Sequence, residues 1–130
     1  MATIVEVHDP AKFDETLAQV SAEQDTVIVL FTGVVDPVTG KNWCPDCEVA
    51  KPNIEKYELN QAQGKIIKCI VERSNWMGNP GHPYKASPFL KVKGVPTLVV
   101  VAGGDTVVMR TEKDEDFQNI DLLNMIAKGE

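Results

Sequence analysis

An α/β fold, with a central mixed five-stranded sheet flanked by helices on both faces, is predicted by two observations. Strand and helix patterns alternate through the first half of the chain, and "TVIVLFT" (26–32) and "KIIKCIV" (65–71) are apolar runs too continuous for a sheet with one wet face. Beyond residue 94 the pattern changes to two strands joined by a hairpin turn and a closing helix.

The elements follow in order. "TIVEV" (3–7) alternates and reads as a short strand. Asp9 offers an N-cap and Pro10 suits a first helical position, after which Phe13, Leu17 and Val20 recur at helical spacing. After strand 26–32, "GVVDPVTGKN" (33–42) carries two glycines and an Asp-Pro and is loop. A second helix begins at "WCPDC" (43–47) and runs to about 63, with Val49, Ala50, Ile54 and Tyr57 on its inner side; Gly64 ends it. Pro52 lies inside, removes one hydrogen bond and should bend the axis. Strand 65–71 is followed by "ERSNWMGNPGHPYKASP" (72–88), a long irregular segment rich in proline and glycine. "VPTLVVV" (95–101) and "TVVMR" (106–110) are strands joined at "AGGD". A last helix covers 116–128, with Phe117, Ile120, Leu123 and Ile126 inward; "EKDED" (112–116) is a solvated turn leading into it.

Composition narrows the function. The 130 residues, 14.3 kDa, fit a single domain spanning 1–130. A net charge of −6 argues against nucleic acid and against an anionic membrane surface as partners. The opening residues have neither the basic start nor the apolar run of a secretory signal, and no stretch approaches the length of a membrane span. Three cysteines in such a chain do not make a disulfide scaffold, so a reducing, cytoplasmic compartment is expected.

Cys44 and Cys47 carry the chemistry. A helix starting at Cys44 aims unpaired N–H groups and a positive dipole end at its sulfur, favouring thiolate. Lowering a thiol pKa from ~8.5 to ~7 raises the thiolate fraction at neutral pH from a few per cent to about half. Intrinsic nucleophilicity falls with pKa, which leaves only a few-fold gain in attack rate. One helical turn brings Cys47 within reach of Cys44, and Pro45 stiffens that turn. This suits attack by Cys44, a mixed disulfide, and resolution by Cys47. The alternatives are half a zinc site, for which only Cys69, His8 and His82 remain and none is paired, or two inert thiols. Cys69, in an apolar strand, reads as a buried structural thiol.

"WCPDC", Pro52 five residues after Cys47, and "GVPT" (94–97) resemble thioredoxin, and the order of elements extends that resemblance over nearly the whole chain. A thioredoxin-like fold implies a cis bond before Pro96 packed against the cysteines, with the Val95 backbone pairing with extended substrate. More narrowly, "FTG" (31–33), "KNWCPDC" (41–47) and a long segment containing Trp76 before "VPT" resemble the 14-kDa thioredoxin-related family, also called thioredoxin domain-containing protein 17. That resemblance implies a cytosolic disulfide reductase with a narrower substrate range than thioredoxin, acting on cystine and on disulfide-containing peptides and proteins. It implies a redox-active Cys44–Cys47 disulfide, no bound cofactor or metal, and electrons from thioredoxin reductase and so indirectly from NADPH. A monomer is the expected state.

One departure bears on mechanism. Thioredoxins carry a buried aspartate in the strand before the motif, to which deprotonation of the second cysteine is attributed; Leu30 stands there in this chain. Asp46 is the nearest replacement, as a base toward Cys47 or as a modulator of the Cys44 pKa, or it is only a helix-end carboxylate. Trp43 is expected to cover one side of the sulfurs and offer a flat substrate contact, whereas Thr97 serves its strand. Loops 33–42 and 75–88 are expected to flank the cysteines and narrow access. His82 reads as a solvated loop histidine, and Lys41 is a weak candidate for holding a thiolate. Two further readings are a glutathione-dependent glutaredoxin-like reductase, disfavoured because "GGD" falls in a hairpin, and a redox-sensing or binding module.

Overall fold

The computed structural model describes residues 3–60, 64–112 and Phe117. Strands Thr3–Val7 (β1), Thr26–Gly33 (β2), Lys65–Val71 (β3), Thr97–Ala102 (β4) and Thr106–Thr111 (β5) form one sheet in the order β1-β3-β2-β4-β5. β3 runs parallel to both β1 and β2, while β4 is antiparallel to β2 and to β5. The sheet is mixed and five-stranded, as the sequence predicts. Gly103 and Gly104 turn the β4–β5 hairpin with φ of 64° and 76°, a conformation that costs glycine nothing.

Helices cover both faces because the central strands are apolar in both directions. Val27, Val29 and Phe31 of β2 point to the side where helix α1 (Phe13–Ser21) lays down Phe13, Leu17 and Val20. Ile28 and Leu30 point to the other, against Ala50 and Ile54 of helix α2 (Pro45–Asn60) and against Phe117. Asp9 caps the single 3-10 turn Pro10–Lys12 ahead of α1, its side chain accepting from Ala11 N–H at 3.0 Å.

Helix α2 differs from expectation in one respect. Cys47, Ala50 and Ile54 form its buried stripe, but Val49 is 59% exposed. One residue before Ala50 lies about 100° around the helix, and that turns Val49 to solvent. The Tyr57 side chain and residues 61–63 lie outside the described residues, as does the predicted last helix except Phe117, which is fully buried.

Segment 72–88 is more structured than an irregular loop. It contains two single helical turns, α3 (Arg73–Trp76) and α4 (Pro83–Ala86). Trp76 and Tyr84 are buried and join the core on the α1 side, where the Tyr84 ring meets Phe31 at 5.0 Å and Phe13 at 5.7 Å between centroids. His82 is buried rather than solvated: its Nδ1 accepts from Tyr84 N–H and its ring packs edge-on to Trp76 at 4.9 Å. Burial, and secondarily Lys85, holds its pKa below the ordinary value. Sequence reading failed here because a lone polar ring among glycines and prolines carries no periodicity to mark it as core.

β2 ends at Gly33, directly beneath the loop that leads into α2. A Cβ there would overlap Asn42 Oδ1 and approach Trp43 Nε1 to 2.7 Å. Gly33→Ala is therefore expected to destabilise the fold by about 1–3 kcal/mol, read as a lower midpoint in urea denaturation.

Candidate active site

The site forms where β2 and β3 end and α2 begins. The β3 terminus anchors the approach: the Val71 carbonyl accepts from Val34 N–H at 2.9 Å and from the Trp43 indole Nε1–H at 2.9 Å. Trp43 is thus half-buried and tied to the sheet, packed against the α1-side core. Next to it Asn42 organises the turn. Its Nδ2 donates to the Gly33 carbonyl at 2.7 Å, and its Oδ1 accepts from Cys44 N–H at 3.0 Å. The Glu48 carboxylate, one turn into α2, accepts from the Asn42 backbone N–H, closing a capping arrangement across the cysteine motif.

Both thiols are free. Cys44 keeps 5% of its surface exposed and Cys47 3%, with Pro45 and Asp46 between them exposed. Cys47 S–H donates to Cys44 Sγ, and Cys47 N–H points at the same sulfur from 3.3 Å. The side-chain bond is the largest cause bringing the Cys44 thiol down from 9.0 to about 7. Burial opposes it, the backbone N–H assists, and the Asp46 carboxylate pushes the other way. The same bond, with burial, drives the Cys47 thiol strongly upward. Two chemically identical groups are thereby made unequal.

Cys44 Sγ also lies 3.3 Å from the Val95 carbonyl. The Val95–Pro96 peptide is cis, Pro96 is buried and Val95 half-buried, so the segment before β4 packs against the sulfur. Thr97 Oγ1 donates to Gly94 O at 2.6 Å and serves the local turn. Lys41 is exposed on the loop. Cys69 is fully buried in β3, its thiol pushed up to about 12 by burial. Among the described residues no three His, Cys, Asp or Glu side chains gather where they could hold a metal ion. No helix among them is long and apolar enough to cross a membrane.

Asn42, Glu48, Gly33 and Thr32 are the residues of this site that sequence reasoning passed over. An Asn two places before the first cysteine is a capping signal that was available. The Glu48 contact, and that of Asn42 Nδ2 with Thr32 Oγ1 at 3.4 Å, depend on how the loop folds back.

Paired thiols at a helix start, facing a cis-proline segment on a mixed sheet, define a thiol oxidoreductase of the thioredoxin fold. Thioredoxin O2 of Arabidopsis thaliana, in its oxidised crystal structure, superposes with a TM-score of 0.60 at 18% identity, over 98% of this chain and 94% of that one. The family profile for thioredoxin domain-containing protein 17-like, thioredoxin domain, matches residues 6–128, and the chain belongs to that family. It is 34% identical to the thioredoxin-like protein Clot of Arabidopsis thaliana over 125 residues, 92% of each chain. It is 36% identical over 114 residues to a Leishmania braziliensis protein named acireductone dioxygenase, covering 76% of this chain and only 33% of that protein. The chain thus spans about a third of the length of such relatives.

Because the Asp46 carboxylate raises the Cys44 pKa, Asp46→Asn is expected to move Cys44 ionisation to lower pH. The pH dependence of iodoacetamide alkylation, followed by mass at Cys44, measures this directly.

Proposed function

We propose that the protein is a disulfide reductase in which Cys44 is the nucleophile and Cys47 the resolving thiol. The observation that carries this reading is the geometry of the pair: Cys44 Sγ sits at the start of α2, 3.3 Å from Cys47 N–H and 3.3 Å from the Val95 carbonyl, and hydrogen bonding from Cys47 brings its thiol down to about 7 while the Cys47 thiol is pushed up. At neutral pH about half of Cys44 is then thiolate, with a pKa near ambient pH, the condition for fast attack on disulfides. Cys44 attacks one sulfur of a substrate disulfide and releases the other half as a thiolate. Cys47 then attacks Cys44 Sγ, the second half leaves, and a Cys44–Cys47 disulfide remains for an external reductase to restore.

Substrates approach over the Val95–Pro96 segment; the Val95 carbonyl 3.3 Å from Cys44 Sγ supports backbone pairing of Val95 with an extended chain beside that sulfur. Trp43, fixed to the end of β3, supplies a wall to the same approach. Loop 34–41 leads into the cysteine motif, and its Val34 and Val35 line the cleft beside Cys47, which supports restriction to small or extended disulfides such as cystine and flexible peptide segments. Membership of the thioredoxin domain-containing protein 17-like family supports thioredoxin reductase, fed by NADPH, as electron donor in the cytoplasm. Gly103 and Gly104, spent on the hairpin, favour that donor over glutathione.

Turnover of cystine and insulin with NADPH and thioredoxin reductase tests the reading, and glutathione as the sole donor tests the competing one. Cys44→Ser is expected to reduce turnover to background. Cys47→Ser is expected to accumulate a mixed disulfide through Cys44, seen as an added mass in intact-protein spectrometry. A Cys47→Ser protein that forms no adduct with any disulfide would overturn the assignment.

A further inference from the structure

The mechanism above needs Cys47 to lose its proton at the moment its acceptor disappears. Once Cys44 is bonded to substrate, it has no thiolate to receive the Cys47 S–H. The row behind the pair offers no buried base: across the sheet, Lys68 of β3 registers with Glu6 of β1 on one side and Leu30 of β2 on the other, and Leu30 is buried and apolar.

Two features converge on the Cys47 sulfur from this side. Thr32, the last side chain of β2 on the α2 face and only 8% exposed, lines the same cleft as Cys47, and hydrogen bonding from it and from the Gly33 backbone works to hold the Cys47 pKa down. Asn42 Nδ2 lies 3.4 Å from Thr32 Oγ1 and donates to it, which leaves the threonine hydrogen free to point at the sulfur. Beside them a cleft of about 280 Å³, lined by both Cys47 and Thr32, runs between α2 and strands β1, β3 and β2. The cleft reaches solvent: its walls include Lys51 and Glu55, whose side chains are 45% and 56% exposed, and Glu6 and His8 at 48% and 65%.

We infer that Thr32 is a catalytic residue of the resolving step: its hydroxyl, with the Gly33 N–H, receives the Cys47 thiolate, and the proton leaves into the adjoining cleft. The inference rests on the disulfide-reductase reading and assigns its second half. In that step Cys47 S–H gives its proton to solvent in the cleft. The Cys47 thiolate then donates its electron pair to Cys44 Sγ, forming the Cys44–Cys47 bond. The bond from Cys44 to substrate breaks, and the substrate sulfur departs with that electron pair as a thiolate and takes a proton from bulk solvent. The dithiol is oxidised by two electrons, and the substrate disulfide is reduced by two.

Neutral donors suit this task. A hydrogen bond to an ionised partner is about twice as strong as one between neutral groups, so Thr32 favours Cys47 in the transition to thiolate more than in the resting thiol. Both Thr32 and Gly33 act to lower the Cys47 pKa, against burial and against the Cys44 bond. The titratable and charged groups that line the cleft with Cys47 are Glu6 of β1, His8 just beyond it, Lys68 of β3, and Lys51 and Glu55 of α2; on its own turn stand Cys44 and the exposed Asp46.

An aromatic disulfide that releases a coloured thiolate separates the two steps in stopped flow. Attack by Cys44 liberates the first equivalent, and resolution by Cys47 liberates the second. In Thr32→Val the first phase is expected to keep its rate, while the second slows about 10- to 100-fold at pH 7, the loss of one hydrogen bond to a charged group. Its pH midpoint should also move upward, and Thr32→Ser should restore both. Thr32→Ala, which removes the same hydroxyl without adding bulk, is the second variant, with circular dichroism confirming that each is folded. A second phase with unchanged rate and pH midpoint in either folded variant overturns the role of Thr32. Absence of the first phase in the unsubstituted protein instead sinks the reductase reading, so the two failures are distinct.

Discussion

One hydrogen bond between two sulfurs organises this molecule. Donated by Cys47 to Cys44 Sγ, it lowers the pKa of the first thiol and raises that of the second. Helix geometry alone would treat the two more evenly. Position adds to the difference that this bond makes: Cys44 precedes the first residue of α2 and receives N–H groups, whereas Cys47 already lies within the turn. The asymmetry lasts only while both thiols are free. Any covalent bond at Cys44 abolishes the contact, and with it the main reason for Cys47 to stay protonated.

The rest of the fold keeps those sulfurs in register. The cysteines sit on a connection between a strand and a helix, so their placement depends on how firmly the loop is tied down. Three ties act from different parts of the chain. Val71 at the end of β3 accepts from both Val34 and Trp43, Asn42 bridges Gly33 and Cys44, and Glu48 reaches back to Asn42. Gly33 allows the loop to lie this close to the strand. On the opposite wall Val95 is held by a peptide that turns immediately before β4. The pair is therefore fixed between two rigid strand ends, which is where precise geometry is easiest to maintain.

Much of this was legible in the sequence, for reasons that also explain what was not. The continuous apolar runs of β2 and β3 announce strands buried on both faces, and the two-residue spacing of the cysteines at a loop-to-helix boundary announces the site. Both are local patterns. Val49 was misplaced because a proline and two cysteines blur the periodicity of α2, so its phase was uncertain by one residue. His82, Trp76 and Tyr84 were harder: Tyr84 packs on Phe13 of α1 and Phe31 of β2, tens of residues away, and the His82 and Trp76 rings pack in turn beside it, in a segment whose composition reads as loop. Thr32 was read only as the end of a strand. Its relation to Cys47 arises across the gap between sheet and helix, a distance in sequence that no period spans.

The exchange of a buried carboxylate for Leu30 has a consequence on the Cys44 side as well. A carboxylate at that position, once ionised, would repel a thiolate through the low-dielectric interior, where screening by salt is weak. Asp46 already opposes Cys44 ionisation, but from an exposed position where water moderates its field. With Leu30 on one side and a solvated aspartate on the other, Cys44 bears the cost of one screened negative charge rather than two. An apolar residue at position 30 is thus compatible with a thiol near 7 beside an acidic motif. It also leaves no carboxylate behind Cys47, which is why the resolving step proposed above draws on solvent for the proton and on Thr32 and Gly33 to hold the thiolate.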